Sequence, residues 1–202
     1  MSQTTLDIKE PGLNVLPPGV ERHVVNAGGL TGLQIFPDDE IEIINDEGNQ
    51  ICEIICFDKD GKSELGILNQ KENSKKSFIK EILNRKDESS LITNLQLKKR
   101  NLDINKSKSS ILFDDKTPSG EKIKIKSKDK CYVIFSAPQN DMLVSEQNPS
   151  SDLTIFIKRA KIINDKELSI IPDPVYEPNY EKNIDRETAI SFQVKEGDYI
   201  QV

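Results

Sequence analysis

His23 is the only histidine in the sequence and therefore the only imidazole that could do chemistry. Nucleophilic devices built on serine or cysteine pair the nucleophile with an imidazole base, so any such device here would have to use His23. No sequence context brings a serine, cysteine or aspartate into that arrangement. We predict no catalytic residue in this chain and keep His23 as a candidate ligand contact, beside the simpler interpretation of a packed or exposed histidine.

Gln50 and Glu53 are the best polar candidates for lining a pocket. They belong to residues 50–57 (QICEIICF), a mostly apolar segment with the pattern of a strand. Side chains three residues apart on a strand point to opposite faces, so at most one of the two lines any given side. The alternative for Gln50 is a hydrogen bond that closes the preceding turn.

Three cysteines, Cys52, Cys56 and Cys131, could suggest a metal site or a disulfide. A zinc site usually needs about four Cys, His or acidic ligands at close spacing, which these residues and one histidine do not supply. Cys52 and Cys56 would share one face of a strand at a distance of about 13 Å, too far for a disulfide or a shared metal. We predict no metal and three buried thiols that pack as small hydrophobic residues.

Two further patterns, an acidic one and a glycine-rich one, give weaker indications of a functional site. Acidic residues cluster at 38–42 and 114–115, but carboxylates near turns are more often solvated edge charges or helix caps than acid–base pairs. The glycines of residues 28–32 lack the lysine and the following helix of a phosphate-binding loop, so we predict a bend between strands.

Composition restricts the functional classes. The net charge is −6, which argues against nucleic acid as the main partner. No apolar run approaches the roughly 20 residues that span a bilayer, and the first residues have neither the basic nor the apolar region of a secretory signal. Together with the odd number of cysteines, this predicts a cytoplasmic protein with reduced thiols and no membrane partner.

The first part of the chain has a β pattern from residue 24 onward. Residues 39–44 alternate between polar and apolar, residues 50–57 are mostly apolar, and residues 45–48 between them have the composition of a turn. We predict that these two segments form a pair of strands joined by a tight turn.

The middle of the chain changes to a helical pattern. Apolar residues at helical spacing between 78 and 83 predict a helix over about 74–86, and Leu91, Ile92 and Leu95 continue the pattern after a break. Residues 98–130 are rich in lysine, and within them 122–126 alternate Lys and Ile, which predicts a half-exposed strand with a lysine face. That stretch could attract an acidic partner surface or a polyglutamylated folate, although a solvated face is the default interpretation.

Further strands are predicted at residues 130–137 and 152–158. A proline-rich connector follows at 163–185. After it, Val194–Val202 matches Ile35–Ile43 in the spacing of an aspartate and two apolar residues, and then the sequence stops. We therefore expect an extended arm over 1–19, a β-rich domain over 20–162, the connector, and the first strand of a second, truncated copy over 186–202.

One segment of the chain, DDEIEIINDEGNQICEIICFD, resembles the signature of the urea-carboxylase-associated domain family. The matching positions are Glu47, Gly48, Gln50, Glu53 and Phe57, with Glu53 where the family usually has aspartate. Members that stand alone carry a His-Asp pair and a downstream cysteine that look able to hold a metal or do chemistry. His23 lies upstream of the signature and no His-Asp pair occurs in this sequence, so the resemblance implies a copy that does not act alone.

A second segment, residues 137–160, is similar to one found in a subset of this family. In that subset, such domains precede a glycine-cleavage T-protein-like aminomethyltransferase that uses folate. The tail from residue 192 resembles the start of another copy of the domain. The resemblance thus implies no cofactor in this stretch, tetrahydrofolate in a missing C-terminal part, and the rest of the same polypeptide as its partner.

These observations predict a mainly β fold, a β-barrel or β-sandwich-like domain with one or two inserted helices. Two functions remain open. The first is a non-catalytic N-terminal accessory domain, forming a substrate channel or a subunit interface in a larger one-carbon enzyme of the aminomethyltransferase or methyltransferase type. The second is an enzyme or subunit related to urea or guanidine degradation that binds a small amide or amine. An oligomer is compatible with either.

Overall fold

The computed structural model of the chain describes residues 16–74, 76–85, 87–139 and 149–161. It contains eight strands and two α-helices in these ranges. The strands are β1 (Val20–Val25), β2 (Leu30–Ile35), β3 (Glu40–Asn45), β4 (Cys52–Asp58), β5 (Ser109–Phe113), β6 (Glu121–Lys126), β7 (Cys131–Ser136) and β8 (Leu153–Lys158). The helices are α1 (Phe78–Leu83) and α2 (Glu88–Lys99), with short 3₁₀ turns at Leu65–Leu68 and Ile104–Lys106. The predicted connector and second copy lie outside the described residues.

The strands form two antiparallel sheets of four strands each. The first sheet has the order β1-β8-β3-β6 and the second has the order β2-β7-β4-β5. With two helices inserted between β4 and β5, this architecture confirms the predicted mainly β, sandwich-like domain.

The predicted pairing of the two strands around residues 45–48 was wrong. Both strands exist, but β3 pairs with β6 and β8 whereas β4 pairs with β5 and β7, so the turn carries the chain from one sheet to the other. Gly48 has a φ of 82° and packs against the backbone of Ser119, where a Cβ would meet the Ser119 nitrogen at 2.6 Å. Both edges of β3 are paired, with β6 and β8, so β3 has no free edge for β4.

Two apolar clusters hold the sheets and helices in place. The inter-sheet core consists of side chains from the facing sides of both sheets, such as Ile43, Ile155, Ile54 and Phe135. The helix-side core lies on the outer face of the second sheet, where α1 packs on β4 and β7 and α2 packs on β2; its members include Ile55, Phe57, Ile82 and Ile134. The second sheet is therefore buried on both faces, and β4 has an almost continuous apolar sequence for that reason.

The lysine face predicted for residues 122–126 is confirmed. In β6, Ile125 is buried and Ile123 is half-buried, while the lysines at 122, 124 and 126 are exposed. Lys124 and Lys126 form exposed ion pairs with Glu42 and Asp38 across the sheet. These pairs neutralise part of the face locally.

Candidate functional site

Gln50 is buried at the corner where the chain passes from β3 to β4. Its Nε2 donates hydrogen bonds to the carbonyl oxygens of Pro138 (2.9 Å) and Ile51 (3.0 Å), and its Oε1 accepts one from the Ser151 amide (2.8 Å). Asn45 Nδ2 donates to the Gln50 carbonyl at 2.8 Å. The side-chain amide of Gln50 thus joins the corner to the segments that follow β7 and precede β8.

Glu53 is fully buried on the outer face of the second sheet, beneath the start of α1. One carboxylate oxygen accepts a hydrogen bond from the Ile79 amide at 2.7 Å, and the other has no partner within hydrogen-bonding distance. Burial raises the pKa of Glu53, although the nearby Ser109 and Ser77 side chains and the first amides of α1 oppose this effect. A buried carboxyl with a raised pKa exchanges a proton nearer neutral pH than a surface glutamate does.

His23 lies on the core-facing side of β1, at the edge of the first sheet. Its Nε2 is 3.1 Å from Glu21 Oε2, and 15% of its side chain is exposed. Burial alone would raise the pKa of Glu21, but hydrogen bonds from His23 and Arg159 outweigh this effect and lower the pKa. Arg159, which is 2% exposed, also pairs with the fully buried Asp39 at 2.6 Å. His23 therefore stands at the rim of a satisfied ionic cluster.

The three sequence-predicted ligand residues are not brought together. His23 belongs to the first sheet, Glu53 faces away from that sheet, and Gln50 uses its amide on backbone groups. Ligand contact at these positions stays a prediction.

The three cysteines are free and buried, as predicted. The sequence did not reveal that Cys56 and Cys131 lie diagonally on neighbouring strands, on the side of the second sheet that faces the inter-sheet core. A hydrogen bond with Cys131, together with burial, raises the pKa of the Cys56 thiol, and burial does the same for Cys52. The same hydrogen bond lowers the pKa of Cys131, against the effect of burial.

An open groove of about 220 Å³ lies between α2 and the edge strand β2, and we call it the α2–β2 groove. β2 supplies one wall, α2 the other, and Tyr132 of β7 the floor. The lining residues are mostly polar but uncharged: Leu30, Thr31, Gly32, Gln34, Ser89, Ile92, Thr93, Gln96, Arg100 and Tyr132.

Tyr132 reaches the groove because β2 has a glycine beside it. An ideal Cβ built on Gly32 would lie 2.0 Å from the phenolic oxygen and 2.7 Å from Cζ of Tyr132. The ring therefore lies across the β2 backbone, where any other residue would exclude it. Burial raises the pKa of Tyr132 to about 12, although the Arg100 charge opposes this. The phenol is consequently a neutral hydrogen-bond donor at physiological pH.

Arg100 closes one end of the groove. Its guanidinium carbon lies 4.8 Å from the centroid of the Tyr132 ring, a cation–π contact. Its Nε is buried without a hydrogen-bond partner. It is the one charged residue among the ten that line the groove.

The amino-acid sequence does not by itself predict the α2–β2 groove. One available signal was Gly32, because an isolated glycine within a strand often marks the close approach of another group. The identity of that group could not be predicted, since Tyr132 is brought beside β2 only by the pairing of β2 with β7. The α2 wall was hidden because its buried face is polar.

Comparison with known proteins gives one informative similarity. No known family model matches the chain. The chain is 32% identical over 195 residues to the trimethylamine-oxide aldolase of Ruegeria pomeroyi, an alignment that covers 96% of this chain and 25% of that protein. The chain therefore spans about a quarter of the length of the curated relative that it matches.

Within residues 16–74, 76–85, 87–139 and 149–161, no group of three or more His, Cys, Asp or Glu side chains is arranged to hold a metal ion. Neither described helix has the length and apolar character needed to cross a membrane.

Proposed function

We propose that this chain is part of an enzyme that acts on a small amine or amine oxide. The observation that carries the proposal is the similarity to trimethylamine-oxide aldolase, which extends over almost the whole chain rather than over one short motif. The α2–β2 groove is compatible with a small ligand, since its volume of about 220 Å³ lies below the range of pockets for drug-sized molecules. This favours the small-amine alternative over a purely structural role.

The share of the relative that the chain covers supports a longer enzyme in which other domains carry part of the function. A quarter of that relative corresponds to this chain, so the remaining three quarters have room for other domains. We propose that this chain is one domain of such an enzyme. A folate-binding partner domain, as implied by the resemblance to domains that precede aminomethyltransferases, is the finer version of this proposal.

The test is to follow trimethylamine oxide by proton NMR in the presence of the complete protein encoded by the gene, with and without tetrahydrofolate. We expect the trimethylamine oxide signal to decay, and to decay faster with tetrahydrofolate if the folate proposal is correct. Heat-denatured protein is the control. Persistence of trimethylamine oxide and of a panel of methylated amines with the native protein would contradict the proposed function.

A second measurement tests the domain assignment. The reading frame beyond Val202 should encode a second β-rich copy followed by a further domain. A frame that stops at Val202 would contradict the assignment of this chain as one domain of a longer polypeptide.

A further inference from the structure

We propose that the α2–β2 groove binds a small molecule through a negatively charged oxygen, either a carboxylate or the oxygen of an amine oxide. The carboxylate source is independent of the proposed function, and the amine-oxide source rests on it. Both present the same chemistry to the protein: an oxygen that accepts hydrogen bonds and is attracted to a positive charge.

The positive charge of the groove disfavours a small cation as its ligand. Arg100 supplies a positive charge, and none of the other nine lining residues is acidic. A small ammonium ion would meet Arg100 without a counter-charge, whereas an anionic oxygen would pair with it.

Two hydrogen-bond donors at one end of the groove are available to such an oxygen. Arg100 and Tyr132 both line the groove, and among the described residues no side-chain hydrogen bond is made by the Arg100 guanidinium or by the Tyr132 hydroxyl. The guanidinium carbon lies 4.8 Å from the Tyr132 ring centroid, so both donors serve the same end of the groove. Because Nε itself is shielded from solvent, a ligand oxygen would pair with the terminal N–H groups of the Arg100 guanidinium and with the Tyr132 hydroxyl.

The rest of the groove favours a short apolar body on the ligand. Leu30 is buried in one wall, and Ile92 is among the few large apolar side chains exposed in the described part of the chain. Thr93 and Gln96 place polar groups between them and Arg100 along α2. A methyl or ethyl group next to the charged oxygen would lie toward Leu30, which is on the same face of β2 as Gly32.

The experiment is a titration of the ¹⁵N-labelled chain by two-dimensional NMR with four compounds at constant ionic strength. Propionate and trimethylamine oxide carry the proposed oxygen. Propionamide has the same short chain without the charge, and tetramethylammonium has a shape close to that of trimethylamine oxide with a methyl group in place of the oxygen. We expect saturable shifts at residues 30–34, 89–100 and 132 with one or both of the first two compounds and none with tetramethylammonium.

Three variants localise the binding. Tyr132→Phe removes the hydroxyl and keeps the ring, and Arg100→Met removes the charge and keeps an unbranched side chain; each should weaken binding about tenfold. Lys98→Met, the matched control, removes an exposed positive charge from the same end of α2 and should leave binding unchanged. The spectrum of each variant without ligand reports whether its fold is intact.

The outcomes separate the sources. Saturation by propionate alone supports the site with a carboxylate ligand and leaves the amine proposal to the turnover assay, while saturation by trimethylamine oxide supports both. The proposal is overturned if neither oxygen compound saturates, if tetramethylammonium or propionamide binds as well, or if Lys98→Met weakens binding as much as Arg100→Met. It is also overturned if Tyr132→Phe, with its fold intact, binds like the original protein.

Discussion

The absence of a side chain at Gly32 leaves the space in which the Tyr132 ring lies across β2. Replacing Gly32 with alanine would place a methyl group 2.0 Å from the phenolic oxygen, so the buried ring would have to move. We expect Gly32→Ala to lower the free energy of unfolding by about 1–3 kcal/mol, the usual effect of overpacking a core, measured by urea denaturation.

A second background distinguishes the clash from a general effect of alanine in β2. In Tyr132→Ala protein, the methyl group at position 32 would meet no ring, and Gly32→Ala should then change stability little. Equal destabilisation in both backgrounds would contradict the packing argument.

Glu53 predicts a dependence of stability on pH. Because burial raises its pKa in the folded state, the folded protein binds more protons than the unfolded chain between the unfolded and folded pKa values. The contribution of Glu53 is therefore fully present below the unfolded pKa and is lost as the pH rises through the folded pKa. We expect the free energy of unfolding of Glu53→Gln, measured in urea, to increase relative to that of the original protein as the pH rises from about 4.

Glu81 provides the comparison for this titration, since its side chain is 47% exposed on the neighbouring helix. Glu81→Gln should follow the pH profile of the original protein closely. Parallel profiles for Glu53→Gln and the original protein would show that Glu53 has the same proton affinity in both states.

For individual residues, the sequence predicted the kind of surroundings of a side chain better than it predicted its hydrogen-bond partners. The turn-closing hydrogen bond considered for Gln50 exists in part, because Asn45 bonds across the corner to the Gln50 carbonyl. The Gln50 side chain instead reaches Pro138 and Ser151. Residues so distant in the chain meet only through the pairing of β7 and β8 with other strands, which no local pattern encodes.

Among the elements, α2 shows why a correctly located helix can present an unexpected face. The sequence suggested an apolar set at Leu91, Ile92 and Leu95, yet Leu91 is 52% exposed. The buried side of α2 is largely polar and comprises Ser90, Thr93, Gln96 and Leu97. Hydrophobic periodicity cannot reveal a helix whose inward face is polar, and for that reason the groove beside it was missed.

Arg159, just after β8, connects the two strands that flank β8 in the first sheet. It pairs with Asp39, just before β3, and with Glu21 in β1. We expect Arg159→Met to lower the free energy of unfolding by about 3–5 kcal/mol, because Asp39 would keep a buried charge without its partner. Chemical denaturation at neutral pH measures this.

The neighbouring residue gives a matched control for the loss of one positive charge. Lys158 is 70% exposed and lies 3.9 Å from Glu40. Lys158→Met should therefore change stability by no more than about 1 kcal/mol. A similar loss in both variants would mean that burial of the Asp39 pair is unimportant.

For the molecule as a whole, we expect no cysteine to react rapidly in the native state, because all three thiols are buried. Cys52, Cys56 and Cys131 are each at most 1% exposed. Ellman's reagent should label none of them rapidly in native protein and all three in denaturant, since the reagent reaches the thiols only after unfolding. A thiol that reacts fast without denaturant would contradict the described core.

The order of the strands also determines when this domain can be completed during synthesis. Val20 in β1 pairs with Lys158 in β8, and β8 is also the strand that joins β1 to β3. Until β8 leaves the ribosome, β1 therefore has no partner in its sheet, and the edge of β3 that β8 covers in the finished domain remains open. Contacts so distant in sequence form slowly. A nascent chain arrested anywhere before residue 153 would present open strand edges to its surroundings, and these are natural targets for chaperones and for proteolysis.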